Sequence, residues 1–403
     1  MKILFLSSWY PFPPNNGSKL RINNLLRGLS TKHEITLLSF TDRLETDLDA
    51  QEFHSVCQDV QVVKYKPFRS NSLNAYLGYL SLYPRSVVDG FSKEMQSCIE
   101  RQIETQSYDL IIASQTSMAR YCQAFHNIPI LIEEVEVGVL FDRFNQASST
   151  WHRFRYGLTW FKFRNYLARL LRSSAACTVV SEQEKQIIIQ NVPCHTPVEV
   201  IPNCIDPSDY QEINEYPQPN TIIFTGSFRY HANYDAMIWF LTDVFPIIQV
   251  DIPDANLVIT GDHAGLPLPS SKGVKLTGFV DDIRHLVARS SVSVAPIRIG
   301  GGTRLKILEA MALRTPVVST PKGAEGLEVT DGKNILIADS PAQYAKAVCC
   351  LLHDPELRNQ IVDNAYQLVT EKYNWSVVIP RFLKLIENIP PKRQSYEYEP
   401  DTI

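Results

Sequence analysis

The sequence predicts an α/β protein of two doubly wound, parallel-sheet domains, on three observations. Short apolar runs of strand length recur along the chain, helical patterns separate most of them, and a proline-bearing polar stretch divides the series. Continuous apolar strands without inside–outside alternation are covered on both faces, and their alternation with helices is the signature of βαβ crossovers. In the first half the strand runs are 2–7, 34–40, 60–65, 109–114, 129–133, 177–181 and 198–202, with helical patterns over 18–30, 92–105 and 182–190. In the second half they are 221–226, 256–261, 274–278, 292–296, 315–319 and 334–338. The segment 203–220 carries Pro207, Pro217 and Pro219 among polar residues and reads as the linker. Residues 351–388 read as two helices interrupted near Tyr373-Asn374-Trp375, and 390–403 reads as a disordered tail. Ligands of such folds bind beyond the carboxyl ends of the strands.

Composition narrows the function. The 403 residues are 44% apolar and 20% charged, ordinary for a globular protein of two or three domains. A net charge of −4 argues against nucleic-acid binding as the main role. The eight cysteines are scattered with no C-x-x-C pair, and Cys177 sits in an apolar run. They read as reduced, small hydrophobic side chains of a cytoplasmic protein. The opening apolar run is too short for a signal-peptide core, and no window approaches the roughly 18 apolar residues of a spanning helix. Asp47-Leu48-Asp49 matches a metal-binding D-x-D, but it lies in a polar stretch away from any strand end, so no metal is expected.

The stretch 296–313, Pro-Ile-Arg-Ile-Gly-Gly-Gly-Thr-Arg-Leu-Lys-Ile-Leu-Glu-Ala-Met-Ala-Leu, is the most informative of the chain. Gly300, Gly301 and Gly302 follow a strand and lead into an amphipathic helix, with Thr303 placed as its N-cap. Glycines let a ligand approach the backbone, and the unpaired N–H groups of a helix start favour an anion. Lys306 and Glu309, three residues apart, share a helix face. A cation at the helix start with a carboxylate one turn on suits a nucleoside diphosphate and its ribose diol. The competing reading is a solvated Lys306 and a structural Glu309, which leaves a lone charge among apolar neighbours.

Gly-Thr-Arg-Leu-Lys-Ile-Leu-Glu-Ala-Met-Ala, followed by 315–320 and Gly323-Ala324-Glu325-Gly326, resembles the donor-site signature of family 4 glycosyltransferases. The resemblance extends over roughly residues 1–385 and is looser in the first half. It implies the GT-B fold, two Rossmann-like domains facing a central cleft, and retaining transfer from a nucleotide sugar without a metal. On this basis the domains are 1–205 for the acceptor, 206–373 for the nucleotide sugar, and 374–389 as a helix crossing back to the first domain. The loop Thr225-Gly226-Ser227-Phe228 stands where relatives often supply an Arg and a later Lys to the diphosphate; here Ser227, Arg229 and His231 stand instead, so Lys306 carries more of that charge. Phe279, in Gly278-Phe279-Val280-Asp281-Asp282, falls in the nucleobase loop, with an ordinary turn capped by Asp282 as the alternative. The family pairs two glutamates separated by seven residues. The second matches Glu309, and the first falls on Gly301, which leaves the sugar to backbone amides of Gly300–Thr303 or to Arg298.

On the acceptor side, Trp9, Tyr10 and Gly17 lie in a proline-rich loop after the first strand, with sugar stacking and plain packing as the two readings. Many relatives carry a His near the position of Val135; here Glu133, Glu134 and Glu136 surround it. Three carboxylates together require a proton or a cation, and Glu134 is the candidate for orienting the acceptor hydroxyl. Residues 151–172 hold six Lys/Arg and no acid, which fits either contact with an anionic membrane's inner face or a helix with a solvated basic face. The functional reading is a metal-independent, retaining hexosyltransferase using a nucleoside diphosphate sugar and a hydroxyl acceptor. The alternatives are a non-catalytic nucleotide-sugar-binding subunit and a sugar-nucleotide epimerase of the same fold. The donor's base and sugar, the acceptor, the linkage and the oligomeric state stay unread.

Overall fold

Thirteen strands among the described residues form two all-parallel sheets, one in each half of the chain. The structure, a computed structural model, describes residues 1–42, 55–147, 149–302 and 304–391. The D-x-D at 47–49, Thr303 and the tail beyond 391 therefore lie outside the described residues.

The first sheet holds β1 (Lys2–Ser7), β2 (Glu34–Thr41), β3 (Asp59–Lys64), β4 (Leu110–Ser114), β5 (Ile130–Glu133), β6 (Ala176–Val179) and β7 (Val198–Val200), in the order β3-β2-β1-β4-β5-β6-β7. β1 is central, with Leu4 opposite Thr36 on one side and Ile111 on the other. All of β4, β5 and β6 is buried, which is why these strands read as unbroken apolar runs. The second sheet holds β8 (Gln218–Thr225), β9 (Asn256–Thr260), β10 (Val274–Gly278), β11 (Ser290–Ala295), β12 (Val317–Ser319) and β13 (Leu336–Ile337), in the order β10-β9-β8-β11-β12-β13. In each sheet the strand order reverses beside the first strand, between β1 and β4 and between β8 and β11. Loops leaving the carboxyl ends of strands at such a switch point diverge and open a crevice.

The chain divides into a first unit, Met1–Ile201 with the chain from Ile379 onward, and a second unit, Pro202–Val378. The segment 203–220 is not a free linker. Ile205 is buried and its N–H donates to the Tyr373 carbonyl at 2.9 Å, a short helix spans Ser208–Gln211, and β8 already begins at Gln218. Its prolines punctuate folded structure, and the few apolar residues that anchor it are too sparse to show as a period. The helix Trp375–Glu387 carries Pro380 within it; from Ile379 it packs on the first unit, where Phe382 and Ile386 are fully buried.

Candidate functional site

In the second unit, the β8 loop and the β11 loop leave the two strands that flank the switch point. Gly226, just past β8, has φ +152° and its N–H donates to the Thr260 carbonyl at 2.9 Å. A Cβ at Gly226 would stand 2.7 Å from Asn233 Nδ2 and 2.8 Å from Lys306 Nζ, so glycine here is a packing requirement. Lys306 projects from the Leu305–Ala312 helix back to this loop and donates to Asn233 Oδ1 at 3.0 Å. Asn233 in turn donates from Nδ2 to the Ser227 carbonyl at 2.8 Å. The Lys306 ammonium also lies 4.3 Å from the centre of the Phe224 ring. Burial, helped by the neighbouring Arg304 cation and opposed by Glu309, pulls its pKa down to about 7. Burial likewise raises the Glu309 carboxyl, with Lys306 opposing. Lys306 is thus not a solvated lysine; it is held at the Gly226 loop by a buried asparagine. Asn233 and Arg304 were not singled out from the sequence, because nothing in spacing tells which polar residue of another helix will meet Lys306.

Arg304 occupies the N-cap position of the helix, and among the described residues no side-chain cap hydrogen bond is made at that end. Arg304 is 7% exposed; its Nη1 donates to the Gly301 carbonyl at 2.8 Å, while Nε and Nη2 are buried without a hydrogen-bond partner among the described residues. A buried guanidinium with idle donors, near the half-buried Lys306 ammonium and a helix start, is an electrostatic fit for an anion. Positive φ falls on Gly300 (+92°) and Gly302 (+84°) rather than on Gly301, and the Tyr230 hydroxyl crowds the site of a Cβ on Gly300.

The other expected donor residues are placed as follows. Ser227 Oγ donates to the Asp262 carbonyl at 3.2 Å. Arg229 is exposed and ion-paired to Asp262 at 2.5 Å, and Arg298 makes a two-point pair with Asp235 at 2.9 and 3.2 Å while lying over the Trp239 ring. Both guanidiniums are engaged by carboxylates on their own unit, so neither is idle as Arg304 is. Phe279 is 76% exposed beside Gly278, which has φ +73° and open space around a would-be Cβ. Asp282 does not cap a helix; it accepts from the Arg284 N–H and pairs with its guanidinium, and the N-cap position falls on Ile283. Tyr210, from the segment read as linker, has its phenol pKa raised by burial and then by the Glu309 charge.

In the first unit the carboxylate cluster finds its cation in Arg21, on the helix Gly17–Ser30. Arg21 is fully buried, 2.6 Å from Glu133 Oε1 and 4.0 Å from Glu134 Oε1. Ser114 Oγ donates to Glu133 at 3.0 Å and Gln115 Nε2 to Glu134 at 3.3 Å. Glu133 thus takes the closer share of the arginine. Burial first, then the Glu133 charge, push the Glu134 carboxyl up to about 8, against the pull of Arg21. Glu134 also sits at φ +56°, a left-handed conformation uncommon for a side-chain-bearing residue. Tyr10 is 2% exposed and offers no ring face to a ligand, which corrects its expected stacking role. Trp9 is half-buried against Tyr65 at 5.6 Å, and Gly17 begins the helix that Asn16 caps.

Glycines and cations gathered beside the switch point of the second sheet are suited to an anionic, phosphate-bearing ligand. Comparison with known proteins makes the class specific. Residues 15–209 match the family model described as Glycosyltransferase Family 4, and residues 219–354 match Glycosyl transferases group 1. The chain is a GT-B-fold glycosyltransferase related to the family 4 and group 1 enzymes. An uncharacterised 44.6 kDa protein in the cps region of Klebsiella pneumoniae is 22% identical over 95% of this chain and 99% of its own. Among solved structures, Anabaena Alr3699/HepE in complex with UDP-glucose superposes with a TM-score of 0.64 at 17% identity, covering 96% of this chain and 99% of that one. WaaG, a glycosyltransferase involved in lipopolysaccharide biosynthesis, does so with a TM-score of 0.59 at 14% identity, covering 96% and 100%.

Proposed function

We propose that this glycosyltransferase moves a hexose from a nucleoside diphosphate sugar to a hydroxyl acceptor with retention and without a metal, in the synthesis of a polysaccharide or glycolipid. The observation that carries the donor reading is the pairing of Lys306, held by Asn233 at the Gly226 loop, with the idle guanidinium of Arg304. Two cations and a helix start supply fixed positive charge where a departing diphosphate gathers negative charge. Glu309 receives the ribose hydroxyls, Phe279 the base, and backbone groups of Gly300, Gly301 and Gly302 approach the sugar. Arg229 and Arg298 shape the loops through their aspartates. In the reaction the bond from the anomeric carbon to the leaving phosphate breaks, and the acceptor oxygen bonds to that carbon on the same face. The acceptor's proton passes to the leaving phosphate oxygen, so the protein need supply no strong base. Glu134, its carboxyl raised to about 8, is protonated near neutral pH and orients the acceptor as a hydrogen-bond donor beside Trp9.

We place the enzyme in the cytoplasm at the inner face of the membrane, held there by the basic 151–172 helix. WaaG's role in lipopolysaccharide biosynthesis supports an acceptor of that general kind.

The test is thermal unfolding with a panel of nucleoside diphosphates, UDP first because the Anabaena structures hold UDP and UDP-glucose. A ligand that binds the folded state raises the midpoint. The expected result is a rise with one nucleotide, abolished by Lys306→Ala, and donor turnover that survives a chelator. No rise with any nucleotide defeats the donor reading, and chelator-sensitive turnover restored by a divalent cation defeats the metal-free one.

A further inference from the structure

The first unit leaves apolar side chains of two helices uncovered. On the helix Leu73–Leu80, Leu73, Tyr76, Leu77 and Leu80 follow helical spacing and all are exposed, Leu80 by 90%. On the helix Thr150–Arg172 the side buried in the core is carried by Phe163, Tyr166, Leu167 and Leu170, as expected of a packed helix. Its first half adds a second stripe, Trp151, Phe154, Leu158 and Phe161, which is exposed. A helix that needed only to pack would carry one stripe.

The two helices are joined. Lys162, from the middle of the long helix, donates to the carbonyls of Gly78 (3.2 Å) and Tyr79 (2.8 Å) at the end of the short one. Tyr83, just beyond the short helix, packs edge-on against Tyr166 at 5.7 Å, with the Arg169 guanidinium over its ring. The uncovered leucines and aromatics therefore belong to one continuous piece of structure.

Charge decides what covers it. Residues 60–88 contain four Lys/Arg and residues 143–181 contain seven, and neither segment contains an Asp or Glu, in a chain whose net charge is −4. Exposed Arg153 and Arg155 alternate with Trp151 and Phe154, and exposed Lys66 and Arg69 precede the short helix. Apolar and interfacial aromatic side chains ringed by cations, with no acid among them, complement an anionic lipid surface: the rings enter the headgroup boundary and the cations meet lipid phosphates.

We propose that the Leu73–Leu80 helix and the first half of the Thr150–Arg172 helix together form one docking surface for an anionic bilayer. This rests on the peripheral location proposed for the 151–172 helix, and adds to it the second helix and the apolar insertion. Docking of this face brings the first unit to where a lipid-linked acceptor would lie.

The experiment is sedimentation of the full chain with vesicles of phosphatidylglycerol and phosphatidylcholine, and with vesicles of phosphatidylcholine alone. Two variants are compared with the parent: Leu77→Ser with Leu80→Ser, and Arg153→Ser with Arg155→Ser. All four positions are exposed, and unchanged thermal midpoints verify folding. The expected result is binding to the anionic vesicles only, weakened by raising salt from about 0.1 to about 1 M. Each double variant should lower vesicle binding roughly tenfold or more, with soluble-acceptor turnover unchanged. If the arginine variant loses binding and the leucine variant does not, the two-helix surface falls and the 151–172 location stands. If the parent binds no anionic vesicle, both fall, and the donor reading is untouched. A dimer in solution that the leucine variant dissociates, without any vesicle binding, overturns the bilayer in favour of a second copy.

Discussion

Lys306 and Glu134 show how burial tunes single groups away from their usual charge states. With its free pKa near 7, Lys306 is partly neutral at physiological pH. A bound diphosphate favours the ammonium, so binding above that pH takes up a proton. Nucleotide affinity should therefore fall as pH rises from about 7 to 9, by up to about tenfold per unit. Calorimetry on the parent and on Lys306→Met tests this. The variant should bind about 1.5–3 kcal/mol more weakly at neutral pH and show no decline; an equal decline in both would assign the titration elsewhere. For Glu134 the folded pKa is about 8 against an ordinary value of 4.5. Between these values the folded state keeps a proton that the unfolded state releases. The stabilisation is complete below 4.5, and is lost as pH rises toward 8. Glu134→Gln imitates the protonated form, so its thermal midpoint should rise relative to the parent's between about pH 5 and 8. A constant difference would mean Glu134 is ionised throughout. Sequence reading recognised the carboxylate cluster and its need for a cation; it did not find Arg21, which comes from a helix more than a hundred residues away.

At the level of elements, the 296–313 stretch was legible because a strand, a glycine run and an amphipathic helix are all local patterns. The details of its turn were not. Backbone dihedrals distinguish three identical letters: Gly300 and Gly302 take positive φ, and Gly301 does not. Gly300→Ala should thus cost roughly 1–2 kcal/mol of stability through left-handed strain, in addition to crowding Tyr230. Gly301→Ala should cost less, because Gly301 is not among the positive-φ glycines. Denaturant unfolding of the two variants decides the point, and a reversed order would mean the loop has another conformation. Gly301→Glu tests function separately. If the loop's backbone approaches the sugar closely, that side chain blocks turnover while the protein stays folded. Retained turnover would show that the sugar is gripped elsewhere. The same locality explains the misreading of 203–220, where proline marked folded turns and the anchoring contacts, Ile205 with Tyr373 and Trp375, join residues far apart in sequence.

For the molecule as a whole, the thirteen strands among the described residues were legible within a residue or two at most ends because parallel strands buried on both faces leave uninterrupted apolar runs. What such runs do not encode is which unit the last helix stabilises. Trp375–Val378 belong to the second unit, whereas from Ile379 the chain is part of the first. Gly28 makes room for it: a Cβ there would stand 2.6 Å from two carbons of the Ile379 side chain. Arg381 Nη2 donates to the Val200 carbonyl at 3.3 Å, and Glu387 pairs with Lys32 at 3.0 Å. The exposed pair contributes little, and the buried apolar side chains carry the attachment. Phe382→Ala should then destabilise the first unit by roughly 3–5 kcal/mol, the usual cost of a large core truncation. The residues proposed for the nucleotide all belong to the second unit, so nucleoside diphosphate should still bind the variant with the parent's affinity. Calorimetry below the unfolding range, alongside denaturant unfolding, separates the two effects. Loss of nucleotide affinity in a variant still folded at the assay temperature would mean that the final helix acts on the donor site as well as on the unit it packs against.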